Sequence, residues 1–207
     1  MRKYRVLGLF LVGLLPAVLH AQELPWAGRW VNTDPADAGL FVLAFAPGGH
    51  VHQLMPAPQF QATFRVAAGR VAMRTGDGSA DSSFVLRGDT LVQAGQALWA
   101  RVPGAAPHKG SVLGTWAPVA PRPMETFMTL RSDSQVVLEV GFPMEATSHS
   151  DTLRLASAQL PAASYVLRRS GDTLHVRDTA GKDHRFVRRP WGCLGIGTFD
   201  ATASECR

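Results

Sequence analysis

Residues Ser83-Phe84-Val85-Leu86-Arg87-Gly88-Asp89-Thr90-Leu91 return later in the chain as Ser164-Tyr165-Val166-Leu167-Arg168, an Arg169-Ser170 insertion, and Gly171-Asp172-Thr173-Leu174. This repetition constrains the fold more than any single segment does, since whatever one copy forms the other must be able to form as well. Each copy opens on a Gly-x-Trp triplet, Gly28-Arg29-Trp30 and Gly114-Thr115-Trp116, and closes on a segment ending in arginine, Leu98-Trp99-Ala100-Arg101 and Arg185-Phe186-Val187-Arg188. The proline- and glycine-rich run Pro103 to Gly110 lies at the junction. The expected division is a first copy over 22–102, a linker over 103–113, a second copy over 114–189 and a tail over 190–207 with no counterpart in the first copy.

Within each copy the apolar residues are spaced for strands. In Phe60-Gln61-Ala62-Thr63-Phe64-Arg65-Val66 they alternate, which places Phe60, Ala62, Phe64 and Val66 on one face and Gln61, Thr63 and Arg65 on the other. Val136, Leu138, Val140 and Phe142 likewise share a face. Leu40 to Phe45 and His50 to Met55 flank a Pro47-Gly48-Gly49 turn and read as a hairpin. Few windows carry a helical period, so the expected class is all-β: two tandem small antiparallel barrels or meanders. A unit of about 75 residues is marginal alone, so the copies should pack together. Two architectures satisfy the pattern. Each copy closes its own barrel, the preferred reading because the linker falls at the repeat boundary, or the copies supply halves of one larger barrel or sandwich.

Met1 to Arg5 is basic, Val6 to Leu19 is apolar, and Ala21 precedes Gln22-Glu23, the layout of a cleaved signal peptide over 1–21. The apolar run is shorter than the ~20 residues a membrane helix requires, so no membrane span is expected after cleavage. Removing Arg2, Lys3 and Arg5 from the 21 basic residues leaves 18 against 16 acidic ones, nearly neutral. The remaining arginines are scattered, which excludes a nucleic-acid footprint. In an oxidising compartment the two cysteines, Cys193 and Cys206, most simply pair; their spacing is not the Cys-x-x-Cys of a redox site.

A Gly-x-Trp opening, a meander of short strands, a late Gly-Asp-Thr-Leu strand and a closing arginine resemble the small lipocalin-like barrels of exported bacterial proteins, over most of the mature chain and twice. The resemblance implies that the tryptophan plugs one barrel end with an arginine from the last strand across it. By position Arg101 would serve Trp30, and Arg188 would serve Trp116. Such stacking contributes about 0.5–2 kcal/mol. The Thr-Asp-Tyr motif of lipocalins is absent, and strands this short imply an interior filled by side chains.

Motifs for chemistry are lacking: no Gly-x-Ser-x-Gly, phosphate loop or His-Glu-x-x-His occurs. Asp178-Thr179-Ala180-Gly181 reads as a hairpin turn. His50 and His52 alternate on one strand face, placed for a barrel mouth, but two imidazoles are too few for a tetrahedral metal. A third ligand would have to come from His175, His184 or Asp151, so no metal and no cofactor are expected. His149 and Asp151 as an acid/base pair rest on proximity alone. The expected protein is not an enzyme but an exported module binding a small apolar ligand or an envelope component. The alternatives are an assembly module presenting a strand edge to an envelope protein and, third, a barrel-mouth hydrolase. An apolar cavity of roughly 300 Å³ or more would favour the first.

Overall fold

The computed structural model describes residues 26–34, 42–45, 51–57, 62–76, 81–103, 105, 108, 110–120, 123–157, 162–194 and 200–207. The signal peptide expected over 1–21, together with Phe60 and His50, lies outside them. Eight strands come from the first copy: β1 (Gly28–Asn32), β2 (Val42–Phe45), β3 (Val51–Pro56), β4 (Ala62–Ala67), β5 (Arg70–Thr75), β6 (Asp81–Arg87), β7 (Thr90–Gln93) and β8 (Gln96–Arg101). The second copy supplies β9 (Gly114–Pro118), β10 (Glu125–Leu130), β11 (Gln135–His149), β12 (Thr152–Ala156), β13 (Ala163–Ser170), β14 (Thr173–Arg177) and β15 (Asp183–Arg188).

All pairings are antiparallel and close two eight-stranded circuits. The first barrel runs β4-β5-β6-β7-β8-β9-β10-β11 and returns to β4; the second runs β11-β12-β13-β14-β15-β1-β2-β3 and returns to β11. The all-β class is therefore observed, but the barrels are not the copies. Each takes its Gly-x-Trp strands from one copy and its closing strands from the other, with β11 as the wall they share. At ~3.4 Å per residue the 15 residues of β11 span roughly 50 Å, enough for both. One edge of β11 pairs with β10 and then β12, the other with β4 and then β3. The segment 103–113 is consequently the β8–β9 connection inside the first barrel, with Val102 N–H donating to Thr115 O at 2.9 Å.

This exchange corrects the expected tryptophan partners. Arg101 is directly opposite Trp116, its guanidinium 4.1 Å from the ring centroid, and Arg188 is opposite Trp30. The tryptophans themselves are equivalent. Both are fully buried, and each indole N–H donates to the carbonyl four residues earlier, Trp30 to Trp26 at 2.8 Å and Trp116 to Val112 at 3.1 Å. The triplet begins with glycine because the strand enters at positive φ, +132° at Gly28 and +115° at Gly114, where a side chain is strained.

Each barrel has its own apolar interior. In the second, Trp26, Trp30 and Phe45 of the first copy pack on Leu153, Leu174 and Phe186 of the second copy. In the first, Trp116, Met128 and Leu130 pack on Phe64, Phe84 and Leu91. Val66 is 51% exposed rather than buried, because β11 pairs only with Ala62 and Thr63 and leaves the end of β4 uncovered. A third cluster, including Val31, Val42, Leu54 and Phe127, is formed by outward faces and joins the barrels. At its centre Gly141 of β11 leaves no room for a methyl: a Cβ there would lie 2.5 Å from Phe127 and 2.9 Å from Leu54. Beside it Arg29 and Glu139 form a fully buried ion pair at 2.5 Å, and Arg29 also donates to Pro190 O and Cys193 O.

The tail leaves β15 at the second barrel and grips the first. Trp191 stacks on Phe127 at 5.5 Å. Thr202 donates to Asp133 at 2.5 Å, and Glu205 accepts from Ser132 N–H at 2.9 Å. Cys193 and Cys206 are bonded, with Cα atoms 5.5 Å apart, which closes a short ring over the β10–β11 turn and contributes about 3 kcal/mol in the chain-entropy view.

Candidate ligand cavity

The second barrel holds an apolar cavity of about 240 Å³. Its wall follows from strand alternation: Leu153 and Leu155 on β12, Leu167 on β13, Val176 on β14 and Phe186 on β15 all point inward, and Met144 of the shared strand completes the lining. The space arises from exchanges at matching register positions. Where the first barrel sets Phe64 opposite Met73 and Trp99 opposite Leu91, the second sets Ala146 opposite Leu155 and Phe186 opposite Leu174. Ring volume is lost at both places. The second barrel therefore departs from the expected filled interior.

Polar groups gather at one end of this cavity: Asn32, Gln53, Tyr165 and His184. Asn32 is opposite Phe186 in the β1–β15 register, and His184 is one same-face step further along β15, hence diagonal to Asn32. Asn32 is only 3% exposed. Its Oδ1 accepts from Asp34 N–H at 2.9 Å, which fixes the amide's orientation. His184 Nε2 lies 3.5 Å from Asp178 Oδ2 across the β14–β15 turn. The Asp178 carboxyl is held below its ordinary value, first by the Lys182 N–H and then by His184. It is therefore ionised, accepts from the ring and sets the ring's orientation. Asp178-Thr179-Ala180-Gly181 is the expected turn, with Gly181 N–H donating to Asp178 O at 3.0 Å.

The other expected residues fall elsewhere. His52 is not at a barrel mouth: its ring meets Phe127 edge-on at 5.1 Å and faces Glu125 at 3.2 Å, between the barrels. That follows from parity, since Val51 and Gln53 point into the second barrel and His52 must point out. His175 and Asp151 border an outer-face depression with Arg168, Arg177 and Asp183, and His149 is exposed at the end of β11. Trp30, Arg101, Trp116 and Arg188 frame the barrels rather than the cavity. Asn32, Gln53 and Tyr165 were not singled out from sequence, and His184 only as a possible metal ligand. The available signal was that His184 alternates with Phe186 and therefore shares its inward face.

No protein-family model, curated protein or solved structure matches this chain.

Proposed function

We propose that the protein binds a small apolar ligand within the second barrel, while the first barrel and the tail serve as scaffold. The observation that carries this reading is the 240 Å³ apolar cavity with polar groups at one end. It is smaller than the ~300 Å³ lower bound of common ligand pockets but larger than a 150 Å³ cavity that takes benzene, which points to a compact occupant. The Cys193–Cys206 bond suits an oxidising compartment, and together with the leader-like N-terminus it supports action outside the cytoplasm.

The alternatives have less to draw on. An assembly role through a strand edge would have to use a short stretch such as the end of β4 that β11 leaves unpaired, because both circuits otherwise close among the described residues. A hydrolase reading gains the His184–Asp178 pair, but among the described residues the only hydroxyl on the cavity wall is that of Tyr165, and neither serine nor cysteine is in reach.

The test is thermal unfolding with toluene and 1-octanol, on the protein and on Leu155→Phe, whose ring occupies the cavity. Ligand that prefers the folded state raises Tm. The expected result is a rise of several degrees that Leu155→Phe abolishes while remaining folded. An unchanged Tm with both compounds, together with no retained mass in native mass spectrometry of protein purified from its own envelope, would overturn the reading.

A further inference from the structure

The polar end of the cavity carries information about the ligand's head as well as its tail. Asn32 is 3% exposed, lines the cavity, and spends its Oδ1 on the Asp34 N–H. No hydrogen bond is made by its Nδ2 among the described residues, and the residue lines the cavity, so that donor faces the space an occupant would fill. The amide therefore presents a fixed, unfilled donor to whatever occupies the space. Tyr165 adds a hydroxyl to the same wall. His184, diagonal to Asn32, is oriented by Asp178 and retains one ring nitrogen.

We infer that the cavity takes a small monocarboxylic acid, its apolar tail against Leu155, Leu167 and Phe186 and its carboxyl group between Asn32 Nδ2 and His184. This rests on the binding reading above and specifies its ligand class. A carboxyl group suits both states of the imidazole: ionised, it accepts from Asn32 and from a protonated ring; protonated, it accepts from Asn32 while donating to the neutral ring nitrogen. An alcohol has one oxygen to divide between the two partners. An ammonium has no acceptor and leaves Asn32 unpaired. The two acids that contact His184 and Asn32 are already engaged, Asp178 with the Lys182 N–H and His184, and Asp34 with Lys182 Nζ at 3.9 Å. At ~30 Å³ per water-sized group, 240 Å³ holds about eight non-hydrogen atoms, close to the ten of octanoate.

Octanoate, 1-octanol and octylamine share one tail and differ only in the head, so calorimetric titration of the full chain with each separates the two levels of the argument. The expected order is octanoate at least tenfold tighter than 1-octanol, with octylamine weakest. Asn32→Leu should reduce the octanoate preference to threefold or less while leaving 1-octanol binding in place, and His184→Phe should weaken octanoate more than 1-octanol. Equal binding of all three, or octylamine binding best, overturns the carboxylate assignment and leaves the apolar cavity reading standing. No binding by any of the three, with Leu155→Phe indistinguishable from the parent, overturns both. An unchanged octanoate preference in both Asn32→Leu and His184→Phe also overturns the assignment, because the head is then recognised elsewhere.

Discussion

Cutting the chain between its two copies should not separate the two halves. A protease site placed within 103–113, the β8–β9 connection, severs no strand. After cleavage each barrel still contains strands from both pieces, joined by the β1–β15, β3–β11, β4–β11 and β8–β9 ladders. Trp26, Trp30, Phe45 and Val51 of the first piece are buried among the second piece's side chains, and Trp116, Met128, Leu130 and Val136 of the second among the first's. At about 1.5–3 kcal/mol per buried side chain these eight contribute on the order of 12–24 kcal/mol. Association costs roughly 4–15 kcal/mol. The middles of these ranges leave about 8 kcal/mol, a micromolar dissociation constant, before the β3–β11 ladder and the Arg29–Glu139 pair are counted. The disulfide lies wholly in the second piece and cannot account for any retention. The assay is size-exclusion chromatography and native mass spectrometry of the nicked protein at micromolar concentration. A single species of full mass, splitting only in denaturant, is expected. Two separately eluting fragments, each with native-like β circular dichroism, would show that the copies close independently and refute the exchanged topology.

Three further outcomes follow from the inter-barrel contacts and the tail. Gly141→Ala should cost about 1–3 kcal/mol, since its methyl meets Phe127 and Leu54; a denaturant midpoint equal to the parent's would argue against the shared-strand packing. Glu139→Leu strands the buried Arg29 and should cost roughly 3–5 kcal/mol, whereas Arg29→Met with Glu139→Leu should recover most of it; an equal loss in single and double variants would contradict this. The tail contact should weaken in acid. Burial alone would raise Asp133, but the Thr202 hydroxyl, the Gln135 N–H and Arg131 together hold it below its ordinary 3.8; burial would likewise raise Glu205, but hydrogen bonds from Ser132, its own N–H and Ser204 hold it below 4.5. Depressed carboxylates contribute stability that is complete above their ordinary values and lost as pH falls through the folded ones. Amide protection over 200–207, relative to the intrinsic exchange rate at each pH, should therefore fall below about pH 4, and protection unchanged down to about pH 2 would rule the linkage out.

Much of the local structure was legible because strand alternation is written residue by residue. The antiparallel β2–β3 pair, the strand bearing Leu138 and the turn at Asp178 needed only apolar parity and turn residues. The errors have separate physical origins. Val66 obeys the parity of its strand, but its burial depends on whether β11 reaches it, and β11 stops pairing at Ala62 and Thr63. His52 was assigned to a mouth because of its turn, although its parity opposite Val51 and Gln53 already turned it outward. The cavity was hidden for a different reason. It depends on the volume difference between Phe64 and Ala146, positions that become equivalent only once β4 and the far half of β11 are seen to occupy the same place in the two barrels.

The sequence by itself determined the all-β class, the duplication, the strand-by-strand facing of most side chains, the two buried tryptophans and the only disulfide two cysteines can form within the chain. It did not determine which copy's strands complete which barrel. Because the copies are alike, the Gly-x-Trp strands of either fit the closing strands of either, and the same cross-strand pairs form whether closure is within a copy or between copies. Local preference is therefore nearly degenerate between the two arrangements. What breaks the tie is three-dimensional: β11 continues unbroken from one barrel into the other, Gly141 lets Phe127 and Leu54 close over it, and the pairing of Arg29 with Glu139 is made only when the first copy's opening strand lies against the second copy's long one.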